Sequence, residues 1–342
     1  MTFRAPYFLR CRCLVLLMPL LLGASSTAGQ QSSCVQFQKE LRTTYDFKPS
    51  RLSSEAEGNA KTAAMDRFWQ TVKTKPALIF CLRNAIADSQ SDPWFRFDGS
   101  NLLVSLDPSA ASKAEQVRQY TMVDLNDVDP KVWVTVMAQR AVEGFDVSEG
   151  ATRWLTNPKA DYFLAEHGAV KVDAFIGAFF IFGSMDETFA TPALLKVAAD
   201  AKHPARERAL TMLLYQATPD AFSALKAANK VGRSPAEQAD LLKLLANPKR
   251  VEPRAQPKTT RAEFVQAFDA YLQGNRQPFM DLVSKVPDGE RDVAAVLRPE
   301  DLPLLRKMRR AMMANANQHA FEYYTTFTEI LMALVWRPEL VN

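Results

Sequence analysis

The chain has 342 residues, 47% of them hydrophobic, with 42 Lys and Arg against 38 Asp and Glu. That is ample apolar material for one large or two modest domains, and no long run is polar enough to stay disordered. Setting aside the arginines ahead of residue 28 leaves a net charge of about +1, too small for an electrostatic nucleic-acid binder.

The first 28 residues read as a secretory signal peptide. Arg4, Arg10 and Arg12 supply a positive start, Cys13 to Leu22 an apolar run, and Gly23 to Gly29 small residues with a cleavage site after Ala28. The run falls short of the ~20 residues that a membrane span needs. An exported protein, periplasmic or extracellular, is therefore expected. Beyond the cleavage site only Cys34 and Cys81 remain, so a single intramolecular disulfide is available to them. Closing that loop would stabilise the fold by roughly 2–4 kcal/mol.

Residues 29–91 form an N-terminal helical segment. Val35, Phe37 and Leu41 share one stripe, Met65, Phe68, Trp69 and Val72 a second, and Leu78, Ile79, Leu82 and Ile86 a third that carries Cys81. Residues 92–108 break this periodicity. Trp94-Phe95-Arg96-Phe97, the turn dipeptide Asp98-Gly99 and the run Leu102 to Leu106 predict a short β-hairpin. Trp94, Phe95, Arg96 and Phe97 would then line a binding lip or, more simply, belong to a hairpin that plugs the end of a helical stack.

Residues 109–247 carry an array of helices. Asp129-Pro130, Thr191-Pro192, Thr218-Pro219 and Ser234-Pro235 each put a capping side chain before a proline, and Ser234 with Glu237 makes a capping box. Val170 to Phe182 is apolar almost all round, as for a helix buried on several sides. Shifting the sequence by 33 residues lays Phe180, Phe182 and Phe189 on Leu213, Tyr215 and Phe222. A shift of 31 lays Leu210, Leu213 and Leu214 on Leu241, Leu244 and Leu245. Such drift suits a degenerate helical repeat of roughly 30–45 residues.

His203-Pro204-Ala205-Arg206-Glu207-Arg208-Ala209-Leu210, followed by Ala217-Thr218-Pro219-Asp220 and Leu225, resembles a HEAT-like repeat, with its arginine one residue early relative to the proline. The resemblance spans about residues 183–247. It implies an all-α fold, an irregular HEAT-like α-solenoid of stacked hairpins, and nothing about catalysis.

Pro248, Pro253 and Pro257, set among Lys249, Arg250, Arg254 and Lys258, make residues 248–258 a linker to a C-terminal helical module, residues 259–342. Its last helix, with Phe327, Leu331 and Leu334, would cap the stack or pair with a second copy in a dimer. Arg306, Lys307, Arg309 and Arg310 form a basic helix suited to an anionic membrane surface or to plain solvent.

Catalytic signatures such as HExxH, GxSxG, a Walker A loop or GxGxxG do not occur. Ser223 and Lys226 match an SxxK pattern, but the other motifs of that chemistry are missing. His167, His203 and His319 stand apart. Asp124, Asn126, Asp127 and Asp129 cluster oxygen ligands in an order that fails a calcium loop. Neither a metal nor a cofactor is expected. The acid–base candidates are Asp161, Glu166 and His167. The leading expectation is an exported, non-enzymatic helical-repeat protein that binds a protein or an envelope component through its groove. The alternative is a carboxylate-dependent hydrolase of the cell envelope.

Overall fold

The structure is a computed structural model and describes residues 28–45, 54–157, 176–284, 287–313 and 318–335. It is all-α: seventeen α-helices and no strand occur among the described residues. The signal-peptide reading, and Asp161, Glu166 and His167, lie outside them.

Helices α1 (Ala28–Thr44), α2 (Glu55–Thr74), α3 (Leu78–Ala87) and α4 (Pro93–Leu106) build a small core of their own. Phe37, Tyr45, Phe68, Leu82, Ile86 and Phe95 are buried in it. Cys34 and Cys81 are bonded, joining α1 to α3.

Helix α4 replaces the expected β-hairpin. Asp92 caps its start, its carboxylate accepting from the N–H groups of Trp94 (2.9 Å) and Phe95 (3.1 Å), with Pro93 in the first turn. The Asp-Gly pair falls mid-helix instead of in a turn. Asp98 accepts from the Tyr45 hydroxyl (2.6 Å) and the Trp69 indole N–H (2.9 Å), which holds it against α1 and α2. Gly99 brings α4 close to α3: a Cβ there would sit 3.3 Å from Ile86 Cγ1. Tertiary partners thus overrode a local turn signal.

The large core begins with α5 (Ala110–Met122), α6 (Pro130–Val142) and α7 (Ser148–Leu155). Its centre is α8 (Ile176–Ser184), the described part of the all-apolar stretch, where Phe179, Phe180, Ile181 and Phe182 are buried. Then come α9 (Glu187–Ala199), α10 (Arg206–Gln216), α11 (Pro219–Asn229) and α12 (Pro235–Ala246). Helices α9, α10 and α11 pack on one another and α12 packs on α11.

The caps at Thr218 and Asp129 and the Ser234–Glu237 capping box are all formed. The start expected at Thr191-Pro192 is displaced. Asp186 caps α9 by accepting from Thr188 N–H (3.1 Å), and Pro192 lies inside the helix.

The C-terminal part comprises α13 (Arg261–Leu272), α14 (Gln277–Ser284), α15 (Gly289–Val296), α16 (Leu302–Met313) and α17 (Gln318–Val335). In an open solenoid each hairpin would touch only its neighbours. Here α16 packs against α8 and α6, and α17 against α10, so the C-terminal helices share the large core. The segment before them is anchored too: Val251 N–H donates to Glu329 O (3.1 Å) and Arg254 N–H to Arg291 O (3.0 Å).

Candidate functional site

Arginines set the geometry of the region around α10. The last carbonyls of a helix have no partner within it and carry the negative end of its dipole. Arg206, at the start of α10, donates from Nε to Ala198 O (2.9 Å) at the end of α9 and from Nη2 to Ala228 O (2.8 Å) and Val231 O at the end of α11. One buried guanidinium therefore fixes two neighbouring helices at their C-termini. Arg309, only 1% exposed, does the same for α10 from α16, donating to Tyr215 O and Gln216 O, both at 2.9 Å. Arg208 reaches Leu155 O (3.0 Å) at the end of α7.

The basic helix is thus largely turned inward. Arg310 binds Glu187 (2.8 Å), Arg309 lies 3.6 Å from the same carboxylate, and Lys307 is exposed. Helix α17 likewise spends much of its apolar face inside the molecule: Phe327, Ile330, Leu331, Met332 and Val335 are buried.

Helices α10, α12 and α17 leave a groove of about 530 Å³ between them. Leu210 and Leu214 of α10, Leu241 and Leu244 of α12 and Met332 of α17 give it an apolar lining. Leu244 is 44% exposed, and Leu245 is the residue that α12 buries. Ion pairs stand on the rim, Arg233 with Glu207 (2.7 Å) and Lys249 with Glu329 (2.6 Å). Bonding to Glu329 pushes the Lys249 ammonium above the usual lysine range. Burial raises the Tyr215 phenol, and Glu329 adds to that. Asp240 is exposed on the same rim and makes no hydrogen bond or ion pair among the described residues.

Compared with known proteins, the chain matches no family model, no curated protein and no solved structure. Function therefore rests on the site itself.

A second, more polar cleft of about 910 Å³ lies at the end of α1, lined by Arg42, Tyr45, Lys61, Asp88 and Asp92 among others. Its carboxylates serve the backbone: Asp88 accepts from Gln90 N–H (2.9 Å), and Asp92 caps α4. Phe95, Arg96 and Phe97 are buried where α4 bridges the two cores, and Trp94 is half-buried and stacks on Phe97 at 5.3 Å. Among the described residues no group of three or more His, Cys, Asp and Glu could hold a metal ion. His203 caps locally, its Nδ1 accepting from Ala205 N–H (3.1 Å).

Sequence reasoning missed the groove. Helical leucines on α10 and α12 were visible, but they resembled shared core. Nothing local says that α12 stands apart from α10, or that α17 closes one side.

Proposed function

We propose that this is an exported, non-enzymatic helical-repeat protein that binds another macromolecule in the groove between α10, α12 and α17. The observation that carries the reading is the lining of that groove. Five apolar side chains face a concave space of about 530 Å³ and Leu244 remains open to solvent. Grooves of this size and polarity are the usual form of recognition sites.

Export is supported by the leader-like first 28 residues and by the Cys34–Cys81 bond, which persists in oxidising compartments. The HEAT-like element of the proposal is supported by the succession α9, α10, α11 and α12, in which α11 lies beside α9 as one repeat beside the next. The groove then lies where the second helices of two successive hairpins, α10 and α12, fail to close on each other. Binding through a repeat array remains a fold-level analogy, and the groove is what makes it specific.

The test is a photo-crosslinking residue at position 244 of the full chain in the cells that produce it, with position 131, exposed on α6, as the control. A discrete macromolecular adduct at 244 and none at 131 supports the proposal. Equal labelling at both positions, or none at 244, refutes it.

A further inference from the structure

The groove also constrains what enters it. We infer that its occupant is a short amphipathic α-helix that presents apolar side chains at helical spacing and places a lysine or arginine opposite Asp240. This rests on the binding reading above and specifies the partner.

Three observations lead there. First, α10, α12 and α17 are helices whose backbone groups bond internally, so the groove offers no strand edge to pair with. An extended peptide lying on Leu210, Leu214, Leu241, Leu244 and Met332 would bury its own N–H and C=O groups without partners. A helix satisfies its own backbone and can lie on an apolar surface without that penalty.

Second, the length is limited. Helix α12 has 12 residues and so runs about 18 Å, three turns of a partner helix laid alongside. The Glu207–Arg233 and Lys249–Glu329 pairs flank the leucines on the rim.

Third, the rim cations Arg233 and Lys249 are already engaged by carboxylates, whereas Asp240 is not engaged by any cation among the described residues. The uncompensated charge is negative, so a basic side chain on the partner is favoured and an acidic one disfavoured.

The experiment is selection of phage-displayed random peptides, about four helical turns long, on the folded full chain, with counter-selection on the Leu244→Glu chain. Leu244 and Asp240 are both exposed, so Leu244→Glu and Asp240→Lys should melt like the parent. The expected winners carry apolar residues at i, i+3 or i+4 and i+7 together with a Lys or Arg, and gain helical circular dichroism on binding. They should bind the Asp240→Lys chain at least roughly tenfold more weakly, and exchanging their basic residue for Glu should restore binding to that variant. Winners with alternating apolar residues or no basic residue would overturn the helix or the charge assignment while leaving the groove reading intact. Winners that bind the Leu244→Glu chain equally, or no winner at all, would count against the groove itself. A Leu244-dependent dimer of the free chain would instead make the occupant a second copy.

Discussion

Gly177, in the first turn of α8, lies directly against the indole edge of Trp154. A Cβ at this position would overlap Nε1 of the indole and sit 2.9 Å from its Cε2. The indole cannot yield, because Trp154 is fully buried and stacked on Trp133 at 4.9 Å with the rings 13° apart. Trp133 is held in turn by its N–H bond to Tyr120 O (2.9 Å). In the sequence this glycine looks like an interruption of an apolar run; in the fold it lets the central helix reach the tryptophan pair.

Gly177→Ala should therefore destabilise the protein by about 1–3 kcal/mol, the usual cost of overpacking a close-packed core, despite alanine's better helix propensity. Urea unfolding followed by tryptophan fluorescence checks this. A neutral or stabilising effect would mean that α8 stands farther from α7 than described.

What the sequence revealed was local. Thr218-Pro219, Ser234 with Glu237 and Asp129-Pro130 act within one helical turn, and each forms the cap its spacing predicts. What it hid depends on residues far along the chain. The turn signal Asp98-Gly99 loses to Tyr45 and Trp69, which recruit Asp98 into a helix from other elements. Arg309 looks like one of four solvated cations, yet it is buried and its partners include the carbonyls of Tyr215 and Gln216. The groove needs α17 beside α10, a pairing that no periodicity encodes. Asp161, Glu166 and His167 lie outside the described residues.

The motif arginine of the repeat-like segment has a specific structural task. Arg206→Met leaves Ala198 O without its donor, takes one of two donors from Ala228 O, which Val231 N–H also reaches (3.1 Å), and releases Val231 O at the surface. A loss of roughly 1–3 kcal/mol is expected, the cost of one unsatisfied buried group. Arg206→Lys should recover only part of it, because an ammonium cannot span two helix ends as a planar guanidinium does. Equal stability of the lysine variant and the parent in chemical denaturation would contradict the two-helix cap.

The Cys34–Cys81 bond lies in a core separate from the main one. Replacing both cysteines with serine should cost roughly 2–4 kcal/mol, and the loss should be confined. Amide exchange is expected to accelerate in α1 to α3 while α8 to α11 keep their protection. Uniform acceleration across the chain would show that the two cores unfold as one unit.

Asp98 makes stability depend on pH in a direction opposite to most carboxylates. Burial raises its pKa, outweighing the hydrogen bonds from Tyr45 and Trp69 that lower it, and no cation is paired with it among the described residues. The folded state therefore favours the protonated acid. Its contribution is fully present below the unfolded pKa and is lost as pH rises through the higher folded value. Asp98→Asn keeps an acceptor oxygen for both donors and removes the half-buried charge. The variant should match the parent at acid pH and exceed it by about 1 kcal/mol near neutrality, the worth of one net buried polar interaction. Urea midpoints measured from acid to neutral pH decide the matter. A variant less stable at neutral pH would mean that the ionised carboxylate is the form the Tyr45–Trp69 pair is built to hold.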